Sequence, residues 1–174
     1  KGPFDLWPTG YGFEYFYGFL AGEASQYEPN LVRNTTQLDP ETYLHEDYHL
    51  TEDIERDAIH WLRDQKAFAP DKPFLMYWAP GAIHGPHHVP KEWADKYKGK
   101  FDDGWDAYRE RALAGAKAKG WVPENTQLTP RPATLAAWDS IPEEEKPFQR
   151  RLMEVLAGFC LLYTSPSPRD VEES

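Results

Sequence analysis

Three of the six histidines lie within five positions, at His84, His87 and His88, inside the run Pro80-Gly81-Ala82-Ile83-His84-Gly85-Pro86-His87-His88-Val89-Pro90. Imidazole titrates near neutral pH, so such a group can move a proton, ligate a metal or donate to an anion. A helical metal pair would use the i, i+4 spacing of His84 and His88, but Pro86 between them breaks a helix. Gly and Pro shape the run as a loop. On the residues alone two readings stand open. One is a functional loop, and the other is a structural loop whose histidines bond backbone groups.

The remaining reactive residues have simpler accounts. Cys160 has no positive neighbours of the kind that generate a thiolate, so it reads as a buried or incidental cysteine. Glu52-Asp53 and Asp102-Asp103 are adjacent carboxylates at expected helix starts, where capping explains them better than acid–base chemistry. Glu143-Glu144-Glu145 fits a helix N-terminus in the same way. Asn34-Thr35-Thr36 is a glycosylation acceptor only in a secreted eukaryotic chain.

The elements that must hold the histidine loop follow from periodicity. Residues 51–66 predict a helix, with Thr51 as N-cap and an apolar stripe at Ile54, Ala58, Trp61 and Leu62. Pro70 and Pro73 end it. Phe74-Leu75-Met76-Tyr77-Trp78-Ala79 is a continuous apolar run, which predicts a strand buried on both faces, as in a parallel sheet. The loop follows the carboxyl end of that strand, where open α/β sheets bind ligands. Beyond it, residues 91–97 predict a short helix. A second helix runs from Asp102 or Asp103 towards Gly120 as its closing glycine. Residues 121–139 read as loop. Ser140-Ile141-Pro142-Glu143 has the form of a capping box. Phe148, Leu152, Val155, Leu156 and Phe159 keep helical spacing, with Pro147 delaying or kinking the helix. The first 40 residues are rich in Gly, Pro and aromatics and read as irregular structure anchored by rings. The fold class is therefore α/β.

Composition narrows the function. The chain has 174 residues, 15% aromatic, with 19 Lys and Arg against 29 Asp and Glu. Its length fits one domain. The net charge of −10 disfavours nucleic acid as a partner. No apolar run reaches the roughly 18 residues of a transmembrane helix. One cysteine excludes an internal disulfide and a cysteine-rich zinc site. No signal segment is visible at Lys1, which leaves cytoplasm and periplasm both open.

Several segments, in order, resemble the sulfatase family, and the bacterial arylsulfatases in particular. They are Gly12-Phe13-Glu14-Tyr15-Phe16-Tyr17-Gly18-Phe19, Tyr27-Glu28-Pro29-Asn30-Leu31, Tyr48-His49-Leu50-Thr51-Glu52-Asp53, the run from Phe74 to Pro90, and Lys91-Glu92-Trp93 with the stretch from Lys98 to Asp106. The resemblance covers residues 1–159. It implies part of an alkaline-phosphatase-like α/β sandwich with a central mixed sheet, incomplete in this chain. It also implies hydrolysis of a small-molecule sulfate ester by a formylglycine nucleophile beside Ca2+ or another divalent cation. His84 matches the histidine that contacts the sulfate ester and helps protonate the leaving oxygen. His87 is a weaker match for a substrate-facing group. No metal ligand is carried over.

The nucleophile motif, C/S-x-P/A-x-R, and the first metal carboxylates are expected upstream of Lys1, and the second metal pair and a lysine downstream. Ser165-Pro166-Ser167-Pro168-Arg169 misses the motif at Ser167. Residues 160–174 are expected to be an unrelated tail, and the chain alone is expected to be an inactive central fragment that needs the rest of its polypeptide. Two other functions stay in view: a non-catalytic anion-binding module built on the aromatic N-terminal region and the histidine loop, and a phosphate or phosphonate ester hydrolase of the same superfamily.

Overall fold

A helix begins where backbone N–H groups find acceptors, and the longest one here begins on an imidazole. In the computed structural model, which describes residues 3–164, helix α1 spans Leu50–Phe68. Its N-cap is His49, not Thr51: His49 Nδ1 accepts from Thr51 N–H at 3.2 Å. Thr51 is instead buried inside the first turn. Glu52 and Asp53 occupy that turn, where the helix dipole favours negative charge.

The chain divides into two compact units, one formed by residues up to Val89 with those from Phe159, the other by Pro90–Gly158. The first holds a three-stranded antiparallel sheet in the order β1-β2-β3, with β1 at Tyr17–Gly18, β2 at Val32–Arg33 and β3 at Thr36–Gln37. Asn34 adopts a left-handed backbone (φ 55°) in the two-residue turn between β2 and β3. Asparagine tolerates that conformation, and its Oδ1 accepts from Phe16 N–H at 3.0 Å. The site read as a glycosylation acceptor therefore anchors a turn. Leu31, Tyr48 and Leu50 form the buried core, with Tyr17, Phe19 and Ile54 packed against it. Each such leucine contributes about 1.5–3 kcal/mol of burial.

Two-residue strands make few ladder bonds, so side chains do the fastening. Asp53 and Asp57 stand one turn apart on α1. Tyr17 donates to Asp53 at 2.6 Å and Tyr48 donates to the same oxygen at 2.9 Å. Tyr15 donates to both oxygens of Asp57, and Arg33 pairs with it at 3.0 Å. Burial, followed by the Asp57 carboxylate, pushes the Tyr15 hydroxyl up to about 12. Burial and Asp53 raise Tyr17 and Tyr48 in the same direction. Asp53, taken from sequence as a helix-start charge, is a phenol acceptor as well.

The run 74–79 departs from expectation. It forms no regular element and pairs with no strand among the described residues, and Leu75 and Tyr77 are 81% and 79% exposed. A strand buried on both faces needs neighbours on both edges, and the described chain supplies none. Phe74 alone is held, edge-on against Trp61 at 5.6 Å.

In the second unit, α2 spans Lys91–Asp95 and α3 spans Gly104–Ala118. Asp103 stands at the α3 N-cap without bonding it, and pairs with Arg111. Gly120 follows the helix in the left-handed region at φ 68°. Gly104 lies beneath the Trp138 indole, where a Cβ would come within 2.0 Å of the ring. Helix α4 spans Lys146–Thr164, starting later than the expected capping box. Ser140 does not cap it: its hydroxyl donates to Ala137 O at 2.7 Å within a 3-10 turn. Pro147 falls in the first turn of α4, where a missing N–H breaks no bond. The helix continues past Cys160 to Thr164, while the near-miss motif at 165–169 lies outside the described residues. No described helix is long and apolar enough to cross a membrane.

Two measurements follow from these contacts. Asp53→Ala leaves two phenols without an acceptor, which costs about 2–4 kcal/mol; Tyr17→Phe, which leaves Asp53 bonded to Tyr48, costs about 1 kcal/mol. Urea unfolding of the two variants gives the ranking, and equal losses would contradict it. The second concerns acid. His49 is neutral when it accepts from Thr51, and burial lowers its pKa below the ordinary value, with the neighbouring His88 ring adding to the effect against the opposing bond to His88 O. Its other contacts are the His88 carbonyl and the rings of Tyr27 and Phe159. Stability from this cap is complete above the unfolded value of about 6.5 and declines as pH falls through the lower folded value. The thermal midpoint should drop on acidification below about pH 6.5, and His49→Asn, which caps without titrating there, should reduce the drop. An unchanged acid limb in His49→Asn would exclude His49 as its source.

Candidate functional site

The histidine loop is built on a close backbone approach. A Cβ at Gly81 would meet Gln26 Nε2 at 2.7 Å, so a larger residue there would have to displace the end of that buried side chain. His84 N–H then donates to Gly81 O at 2.8 Å, closing a turn that turns the chain out towards solvent. The loop contains two cis peptide bonds, Ala82–Ile83 and Gly85–Pro86. His84 and His87 are exposed, whereas His88 is partly covered.

The three imidazoles have different partners. His84 Nδ1 donates to Gly85 O at 2.9 Å and lies 3.5 Å from Glu23 Oε2. His88 Nδ1 accepts from Gln26 N–H at 3.4 Å, and its ring stacks on Tyr27 at 5.3 Å. The carbonyl of His88 accepts from His49 Nε2 at 3.2 Å, so the buried cap of α1 also ties down the end of the loop. No hydrogen bond or ion pair holds His87 among the described residues. The structural reading thus suits His88, while His84 and His87 present themselves to solvent.

Sequence reasoning did not single out Glu23 or Gln26. They stand about 60 positions from the histidines, and no local pattern connects them. Gln26 is the buried floor of the loop: its carbonyl accepts from Leu50 N–H at 2.7 Å, and its side-chain Oε1 has no hydrogen-bond partner among the described residues.

Two other concavities carry less chemistry. A hollow of about 270 Å3 in the first unit is lined by apolar groups such as Trp7, Phe19 and Val32, with Asn30 and Gln37 its polar members. It holds no cation to attract an anion. A cleft of about 480 Å3 in the second unit has four cations, of which Lys91 pairs with Asp95, Arg151 with Asp95 and Glu154, and Arg150 lies 3.9 Å from Asp102, so acidic neighbours offset most of its positive charge.

A divalent cation requires several converging oxygen or imidazole ligands. No group of three or more His, Cys, Asp or Glu side chains comes together in that way among the described residues. The described residues alone therefore do not supply the side-chain ligand set that such a cation needs.

Known proteins share this arrangement of segments. The family model described as Sulfatase matches residues 2–154. An uncharacterized sulfatase of Schizosaccharomyces pombe is 28% identical over 91% of this chain and 30% of its own length. An arylsulfatase of Klebsiella aerogenes is 26% identical over 87% of this chain and 33% of its own length. The chain thus spans about a third of these relatives. With the match running from the first aromatic segment through the histidine loop and into α4, the chain belongs to the sulfatase family.

Proposed function

We propose that this chain is the central part of the catalytic domain of an arylsulfatase-type sulfate ester hydrolase, and that His84 acts on the leaving group. The observation that carries the reading is an exposed imidazole, at the tip of a turn, within the segment matched to the sulfatase family. As the bond between sulfur and the ester oxygen breaks, its electron pair passes to that oxygen. An imidazolium at His84 supplies the proton, and the product leaves as a neutral phenol or alcohol. General acid catalysis of this kind contributes about 10²–10⁴-fold. His87, exposed beside it, faces the substrate in the same reading.

The fold that completes the site is the larger alkaline-phosphatase-like sandwich. The exposed run 74–79 supports this, since its sequence is that of an internal strand and it pairs with no strand among the described residues. Formylglycine would supply the nucleophile and a cation such as Ca2+ would neutralise sulfate oxygens. The residues described here hold neither, so their part is on the leaving-group side. Family membership favours this reading over a non-catalytic anion-binding module, and the uncharged apolar hollow near Trp7 also argues against the latter.

Two outcomes test the proposal. The 174-residue chain by itself should not hydrolyse 4-nitrophenyl sulfate with calcium added; turnover above background would overturn the fragment reading. In the longer polypeptide, His84→Ala should lower kcat by about 10²-fold on sulfates of weakly acidic alcohols and by much less on 4-nitrophenyl sulfate, whose leaving group needs no proton. An equal effect across leaving groups would remove His84 from that role. Parallel assays with phosphate esters separate the sulfatase from the phosphatase alternative.

A further inference from the structure

His84 can serve as a leaving-group acid only if the proper nitrogen is free. An imidazole that is loose in water exchanges its proton between both nitrogens, and an exposed loop histidine has no intrinsic reason to favour either. In this structure Nδ1 is surrounded by acceptors. Gly85 O is 2.9 Å away and Glu23 Oε2 is 3.5 Å away, and neither can donate. The neutral ring therefore keeps its hydrogen on Nδ1, and Nε2 is the nitrogen left for an ester oxygen.

The carboxylate is placed by construction. Residues 23–26 run beside the loop and touch it twice: Glu23 at His84, and Gln26 N–H at His88 Nδ1. Gln26 is itself pinned, because it is buried and its carbonyl accepts from the first residue of α1. A Cβ at Gly85 would stand 3.8 Å from Glu23 Oε2, so the loop backbone passes at contact distance from the carboxylate.

We propose that Glu23 is a positioning residue for His84, holding the imidazole in the Nδ1–H tautomer so that Nε2 faces the leaving oxygen. The proposal rests on the reading of His84 as the leaving-group acid. Glu23 touches no reacting atom; it acts through the ring. When His84 is protonated, the same carboxylate faces the Nδ1–H side of the imidazolium and leaves the Nε2–H proton to be transferred. The pair is largely exposed, with side chains 66% and 63% accessible, so its effect is that of a screened surface contact and smaller than that of His84 itself.

The test uses the longer polypeptide with nitrogen-15 labelled histidine. Its two-bond correlations identify the His84 tautomer, and His84→Ala assigns the signal. The neutral ring should be mainly Nδ1–H in the parent protein. Glu23→Gln, which keeps an acceptor oxygen, should retain most of it. Glu23→Ala, which leaves only the Gly85 carbonyl beside Nδ1, should lower the Nδ1–H share and lower kcat by about 2- to 5-fold on sulfates of weakly acidic alcohols, with little change in KM. Identical tautomer populations in all three proteins would overturn the role of Glu23. If His84→Ala leaves turnover intact, the reading of His84 fails instead, whatever the spectra show. If His84→Ala is inactive while Glu23→Ala matches the parent in spectrum and rate, the proposal for Glu23 fails and the reading of His84 stands.

Discussion

Two carboxylates one helical turn apart hold the N-terminal half of this chain in place. Isolated two-residue strands are too short to fix a sheet, and a small hairpin alone is marginal in water. Asp53 and Asp57 substitute for the missing ladder by accepting three phenol hydroxyls and a guanidinium from β1, from the approach to β1, from β2 and from the turn before α1. All but the Tyr48 bond join segments distant in sequence, and each phenol brings apolar ring surface with it. Removing an acceptor therefore exposes a polar need and loosens packing together, which is why an interaction of modest individual strength governs this unit.

The histidine loop depends on the same helix by a different route. His49 caps α1 through one nitrogen and holds the carbonyl of His88 through the other. A loop that exposes two imidazoles is thus fixed at its base by a buried one. The chemistry asked of each ring follows from its surroundings: burial suits a neutral structural histidine, and exposure beside a carboxylate suits one that exchanges protons. The chain carries a net charge of −10 and repels anions at long range, so an anion at the loop would depend on local contacts.

Much of this could be read from sequence where the deciding forces are local. The stripe from Ile54 to Leu62 identified α1, and Gly120 marked the end of α3, because helical period and left-handed glycines depend on near neighbours. The Gly and Pro residues around His84 identified a loop. Capping was misread twice. Thr51 and Ser140 have the right side chains, but an imidazole two residues earlier took the first role, and a 3-10 turn claimed the hydroxyl of the second. The run 74–79 has the composition of an internal strand, yet a strand is a relation between segments, and the described residues offer it no partner. Glu23 and Gln26 escaped notice because what matters about them is proximity across some 60 residues, which no spacing rule encodes.

That unpaired run has a consequence for how copies of the chain meet one another. Six uncharged residues, five of them with large side chains, form the kind of window that seeds strand-on-strand growth. Pro73 and Pro80 stand immediately on either side, and neither can offer an N–H to a neighbouring strand. Lys72 adds a charge just outside one of them. The prolines act as gatekeepers: a strand docking on this edge finds six residues of backbone to pair with and then a stop, so the segment can accept a partner of defined length without propagating along the chain.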